Sequence, residues 1–445
     1  MRMPIRSLLM LACALLMAHL TGCSTYADRL QEIRSGYASG DLIFARTSVE
    51  EGLAKKGNDV EVLKLERAML ELAEGKPHEA QRTLREVRDQ FDALEGSDIG
   101  ESTLAMLTDD NAYAYAGEDY EKVLIRAMLT LSNLMTDGQD ALAYSLQTID
   151  KQQQIIHDGT DANGKNPKLA YKRIALGPYV HGLLREATHS NFDDSQRATA
   201  MVCSWQPDFK YGAFDLQRAQ MGRHSAPGNG VLYVFGLVGA GPYKIETIEL
   251  PTQVAMLIAD RILSNNLNQS LPPTLAPIPV PKVIKVASNV TNIRVAVNGQ
   301  PVGTTETVTD IGEIAVQQYN EVFDQIVARA VVRRTIKKGI VYGAKESVGI
   351  ERDTLSSFAF DALGVVWEAT ESADTRCWGL LPDKIQVLRI ELPAGEHAIE
   401  LQAIGNGVGG RPVVKNVTIN NGYNSYIMIN CPGLKPVGQV LVSQP

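Results

Sequence analysis

The chain lacks the local signatures by which most enzymes announce themselves. No His-Glu-x-x-His, no Gly-x-Ser-x-Gly and no phosphate loop ending in Lys-Ser or Lys-Thr occurs in its 445 residues. Its seven histidines show no metal-ligand spacing to one another, and its five cysteines contain no Cys-x-x-Cys pair. Neither a metal nor a cofactor is therefore expected. Net positive charge is also absent. The formal charge is −8, which argues against a general nucleic-acid binder. Long apolar runs are confined to the first residues, so nothing after them is expected to cross a bilayer.

That one apolar run, Leu8 to Leu20, is interrupted only by His19 and preceded by Arg2 and Arg6. A spanning helix needs about 20 apolar residues; this shorter run fits the core of a secretory signal. Leu20-Thr21-Gly22-Cys23 follows it and resembles the bacterial lipobox. The resemblance implies diacylglycerol on the Cys23 thiol, cleavage before Cys23 and acylation of the new amino group. Several acyl chains make a lasting anchor where one does not. An ordinary secretory signal ending in a chance cysteine is the alternative. Ser24 rather than Asp follows the cysteine, which by the same resemblance favours outer-membrane sorting in a two-membrane cell, facing the periplasm. With residues 1–22 as leader, Cys203, Cys377 and Cys431 remain unlipidated in an oxidising compartment. Cys377 and Cys431 share the C-terminal region and are the expected pair; three buried free thiols are the alternative.

From Tyr26 to Gln220 the pattern is helical, rich in Ala, Leu, Glu, Gln and Arg. Leu63, Leu65, Ala68, Met69 and Leu72 mark one helix, Glu74-Gly75-Lys76-Pro77 a turn, and Ala80, Leu84 and Val87 a second helix. This hairpin resembles a tetratricopeptide repeat. The Gly75–Ala80 spacing recurs as Gly40–Ala45, a shifted version follows Gly117, and a fourth match runs from Phe192 to Pro207. The intervals are unequal, so irregular repeats are expected, with an unrelated helical bundle as the alternative. Stacked hairpins expose a concave face for peptides or partner proteins. Tyr113, Tyr115 and Tyr120 either line such a groove or pack helix on helix.

The pattern changes near Ser225, giving an expected helical domain over 23–220 and a β-rich α+β domain over 225–445. Gly230 to Val238 predicts a strand. Gly236, Gly239 and Gly241 imitate a nucleotide loop, but Pro242 and another strand follow instead of a helix, so nucleotide binding is rejected. Pro251 to Leu263 predicts a short helix, and the Pro-rich Ser270 to Lys282 an extended crossing segment. A hairpin is expected around Asn298-Gly299. Thr309 to Lys338 is the strongest helix signal, with capping-box spacing at Asp310 and Glu313. Its basic end, Arg329, Arg333, Arg334, Lys337 and Lys338, either complements the helix dipole or contacts lipid. Strands are expected at Phe358–Trp367, Lys384–Leu392, His397–Ala403, Val413–Ile419 and Ser425–Asn430. Together they predict a mostly antiparallel sheet with the long helix packed on it.

The lipobox, the run Ala114-Tyr115-Ala116-Gly117-Glu118-Asp119-Tyr120-Glu121-Lys122, the triplet Ala328-Arg329-Ala330, and Asp374-Thr375-Arg376-Cys377-Trp378 with Leu381-Pro382 occur in that order. In this the chain resembles a family of uncharacterised lipoproteins of Gram-negative-type bacteria, which brings no activity to carry over. Arg376 and Trp378 are candidate partner contacts, because binding energy concentrates in such residues. The alternative pairs Arg376 with Asp374 or a carbonyl and places Trp378 in the core. The expected function is a membrane-anchored, non-catalytic scaffold or adaptor that binds an envelope protein. An envelope hydrolase or glycan-binding protein, with a site built from dispersed residues, is the alternative. Cys23→Ala is expected to abolish lipidation and to leave the protein unprocessed or released from membranes; undiminished palmitate incorporation in that variant excludes the anchor.

Overall fold

The computed structural model of the chain describes residues 26–96, 114–160, 164–267, 271, 277–347 and 372–443. Cys23, Tyr113 and the strand expected at Phe358–Trp367 lie outside them. The N-terminal half is a run of helices: α1 Tyr26–Ser39, α2 Leu42–Ala54, α3 Val60–Ala73, α4 Pro77–Gly96, α5 Asp119–Leu134, α6 Ala141–His157, α7 Leu176–Glu186, α8 Phe192–Trp205 and α9 Gly212–Gln220. Each helix packs on the next, so the chain folds into hairpins. The turns that close them use left-handed residues: Gly40, Gly75, Gly138 and His189 all have positive φ. Glycine adopts that conformation without a Cβ penalty, which is why it terminates helices. Gly117 also has positive φ, but it precedes α5 rather than joining two helices. Gly138 holds the position equivalent to Gly40 and Gly75, and the sequence pattern missed it.

Helix α5 is buried almost all round, and α3 nearly so. Such helices lie inside an assembly. Several buried polar groups on α5 are accordingly partnered. Arg126 binds Asp92 at 2.5 Å, Asn133 receives the Asp140 amide and donates to Gln81, and Thr130 and Ser132 return hydrogen bonds to their own helix.

Strand β1, Asn229–Val238, opens the C-terminal half and is buried along nearly its whole length. It is followed by β2 Tyr243–Glu249, α10 Gln253–Leu267, β3 Ile278–Ile284, β4 Asn292–Val297, β5 Gln300–Thr304, β6 Glu306–Asp310 and the long helix α11 Ile311–Ser347. Strands β7 Lys384–Pro393, β8 Gly395–Gly405, β9 Val408–Gly409, β10 Val413–Ile419, β11 Asn424–Cys431 and β12 Leu441–Val442 complete the chain. The architecture is α+β, with helical hairpins followed by a mostly antiparallel β region and one long helix.

Apart from β2 and β3, the strands form two stacked sheets where the sequence pattern predicts one. The inner sheet has the order β12-β11-β1-β7-β6, and β1 and β11 run parallel within it. The outer sheet has the order β10-β8-β4-β5 and is antiparallel. Alternation along β1 explains the layering. Val231, Tyr233, Phe235 and Leu237 join the core shared with the helices, while Leu232, Val234 and Val238 join the core between the sheets. Gly236 faces the second core because a Cβ there would lie 2.4 Å from Ile293 Cδ1. The change of composition near Ser225 is thus a change of secondary structure, while one apolar core continues across it.

The Pro-rich segment is in part strand β3, paired with β2 as a two-stranded ribbon. The long helix also packs differently from expectation. Its first turns (Ile311, Ile314, Ala315) enter the main core, but Val327, Ala328, Val331 and Val332 pack on β3 and α10 as a separate cluster. Asp310 Oδ1 caps the helix by accepting from the Glu313 amide at 2.8 Å, whereas Glu313 pairs with Lys172 instead of closing a capping box. Asn298 and Gly299 both have positive φ, as the two-residue hairpin turn requires.

Gly438 shows how tightly the C-terminal segment is docked. Its φ is +73°, a Cβ would lie 2.0 Å from the Ala73 carbonyl oxygen, and the next amide, Gln439, donates to that same oxygen at 2.8 Å. Gly438→Ala is expected to lower unfolding stability by about 1–3 kcal/mol or more, through strain and displacement together. Gly299→Ala, at a turn with open space around it, is expected to cost about 1–2 kcal/mol at most. Denaturant midpoints of the two variants check the difference.

Candidate functional site

The cleft between α1, α3 and α5 is the feature that sequence reasoning points to as a binding face. It is filled by the chain itself. Residues 372–383, the strap, lead into β7 and pass through this cleft in an irregular, non-helical conformation. Two buried carboxylates hold the strap's main chain. The Trp378 amide donates to Glu121 Oε1 at 2.7 Å, the Gly379 amide to Glu66 Oε1 at 2.6 Å and the Leu380 amide to Glu66 Oε2 at 2.8 Å. Carbonyls are matched in turn. Tyr26 donates to Cys377 O at 2.6 Å, Arg34 to Gly379 O at 2.5 Å, and the Gly241 amide to Leu381 O at 2.8 Å. Hydrogen bonds to an ionised acceptor are roughly twice as strong as neutral ones. At Gly379 a Cβ would meet Leu30 Cδ1 at 2.3 Å, so the Leu30 side chain would have to shift to admit one.

The sequence-predicted residues converge on this cleft. Arg376 forks onto Asp374 at 2.9 and 2.7 Å, donates to Asn58 O at 3.0 Å and lies over the Tyr115 ring. Tyr115 donates to Glu121 Oε2 at 2.5 Å and Tyr120 to Glu121 Oε1 at 3.2 Å. Trp378 is fully enclosed, and Tyr115, Tyr120 and Arg376 are each under 5% exposed. They are therefore internal contacts of this chain and present no free surface. The structure has the alternative arrangement, with Arg376 on both Asp374 and a carbonyl and Trp378 in the core. Residues the sequence pattern missed are Glu66, Glu121, Tyr26 and Arg34. One signal was present: Glu66 is an acid set among the packing positions Leu63, Leu65 and Met69.

Electrostatics follow burial. Desolvation raises the Glu66 carboxyl from 4.5 to about 7, against the Gly379 and Leu380 amides that lower it. Glu121 is raised for the same first reason. Burial also opposes ionisation of Asp374, but the Arg376 hydrogen bonds and Lys244 outweigh it, and its carboxyl sits below its ordinary value. Lys244 is buried and paired with Glu118. The Cys377 thiol is pushed up to about 12 by burial and the nearby Glu121 carboxylate, and Cys431 to about 12 by burial alone. The expected disulfide between them is absent: both are free, Cys377 in the helix-facing core and Cys431 between the sheets.

Comparison with models of protein families, with characterised proteins and with solved structures finds no match to this chain.

Elsewhere, His189 hydrogen-bonds the Gly422 carbonyl and meets His224 edge-on, while Cys203 lies against Gly212. Among the described residues, no group of three or more His, Cys, Asp or Glu side chains is placed to hold a metal ion. No helix among them is long and apolar enough to cross a membrane.

Glu66 gives a pH-dependent outcome. Its folded pKa is raised, so the folded state binds the proton more tightly, and stability from this group is full below about 4.5 and lost as pH rises through about 7. Glu66→Gln is expected to flatten the loss of stability between these pH values, by about 3 kcal/mol at most. It also removes one acceptor from the Gly379 and Leu380 amides, costing about 1–3 kcal/mol at low pH. Urea midpoints of both proteins across this range check the change of slope.

Proposed function

We propose that the protein is a membrane-anchored lipoprotein, facing the periplasm from the outer membrane, that acts as a non-catalytic adaptor for an envelope protein. The observation that carries the reading is the grip of the helical hairpins on an extended segment through its main-chain amides and carbonyls. A hairpin array that grips main-chain amides and carbonyls in this way is a peptide-holding surface. The lipobox at Leu20–Cys23 and the resemblance to lipoproteins supply the anchor and the compartment. Because the strap fills the cleft, the partner takes outward surface. Ile43 and Phe44 on α2, and Phe214 and Met221 on and just after α9, are exposed there and are among the apolar contacts open to it.

Chemical crosslinking in cells, followed by purification of the acylated chain, is expected to recover one envelope protein at fixed stoichiometry. Ile43→Asp with Phe44→Asp, or Phe214→Asp with Met221→Asp, is expected to reduce that yield at least tenfold. Turnover of peptidoglycan or phospholipid by the purified chain, abolished by a single carboxylate or His substitution, overturns the adaptor reading in favour of a hydrolase.

A further inference from the structure

Several parts of the chain leave the body at one end. Helix α1 runs alongside the strap in the same direction. Tyr26 meets Cys377, Leu30 meets Gly379, and Tyr37 lies with Pro382. Strand β2 runs the opposite way along the strap, with Gly241 against Leu381 and Glu246 accepting from the Ala373 amide at 2.7 Å. Moving back along α1 to Tyr26 therefore follows the direction in which β2 leaves the body. Helix α11 starts beside Asp383 and leaves the same way, passing Pro281 at Tyr319, Thr252 at Asp324 and Pro277 at Arg334. Strands β2 and β3, helix α10 and this part of α11 form an arm with its own small core.

The tip of the arm is apolar outside as well as inside. Ile248, Leu250, Val254 and Leu257 are 60%, 69%, 46% and 71% exposed within ten residues of chain. Elsewhere on the described surface, exposed large apolar side chains occur singly or in pairs. Arg329 on α11 is exposed, whereas Arg333 and Arg334 are turned into the arm, where Arg334 donates to the Pro277 carbonyl at 2.6 Å.

We propose that this tip rests on the phospholipid bilayer and is a second membrane contact beside the lipid anchor. The proposal builds on the reading that Cys23 is acylated. Three residues of chain span about 10 Å, so an acyl anchor at Cys23 holds the first turn of α1 close to the membrane. The surface at that end then faces lipid. A cluster of exposed apolar side chains held at that end is what the interfacial region of a bilayer takes up.

The test uses the mature chain carrying Cys23→Ser, so that no acyl group is present, and vesicles of phosphatidylethanolamine and phosphatidylglycerol. This chain is expected to co-float with the vesicles. Leu250→Asp combined with Leu257→Asp is expected to reduce co-flotation at least tenfold with an unchanged circular dichroism spectrum. Val408→Asp with Val414→Asp, in the outer-sheet region, is expected to leave it unchanged. Emission of a Leu257→Trp variant is expected to be quenched by brominated phospholipid. Absence of both co-flotation and quenching overturns the proposal, as does equal loss in the outer-sheet variant. A dimer that the Leu250→Asp/Leu257→Asp chain no longer forms, with vesicle binding unaltered, shows instead that the tip joins two copies. Palmitate incorporation into the unsubstituted chain reads the anchor separately, so failure of the lipoprotein reading and failure of the bilayer contact give different results.

Discussion

Two carboxylates inside the protein hold its halves together. Glu66 and Glu121 sit on helices that the apolar pattern marks as core, and each accepts amides from a segment more than 250 residues away in sequence. An unpaired carboxylate in such a place is costly. Peptide amides offset that cost together with the nearby cations Arg34 and Lys244, and they fix the path of the strap. The strap in turn positions the start of β7 and, through Asp383, the start of α11, whose first two amides bond the Asp383 carbonyl. Helices, strap, inner sheet and long helix are therefore one connected arrangement, and the acids are its centre.

The inner sheet carries the second constraint. Burial on both faces makes β1 a continuous apolar strand of the kind usually seen in covered parallel sheets. Here one cover is helical and the other is a second sheet. Each face takes alternate residues of β1, and the small residue at Gly236 lets Ile293 approach. Residues that look redundant along the strand are divided between two cores.

Much of this was legible in the chain. Hairpin helices announce themselves through Gly75-Lys76-Pro77 and the apolar spacing on either side, and the turn at Asn298-Gly299 through its φ requirement. The start of α11 was visible in Asp310. Less legible were features that depend on distant partners. Two strands of equal apolar pattern do not say which sheet each joins, so two sheets read as one. Arg376 and Trp378 carry the composition of a binding surface because the strap binds, but what it binds is its own chain. Cys377 and Cys431 share a region of sequence and lie in different cores. Glu66 was the misplaced clue: an acid among packing residues marks a buried polar contact even when its partner is unknown.

The strap has a consequence for how the protein is made. It lies near the end of the chain, while the helices it completes are near the beginning. A chain emerging from its amino terminus presents α1, α3 and α5 long before residues 378–380 arrive. Until then Glu66 and Glu121 line an open apolar cleft without the strap amides they accept in the folded chain, and the helical half has no finished core. Contacts of such long range are slow to form, and unfinished intermediates expose apolar surface. The helical half of a growing chain therefore keeps apolar surface exposed until its own last third arrives, and completion of its core is timed by that arrival.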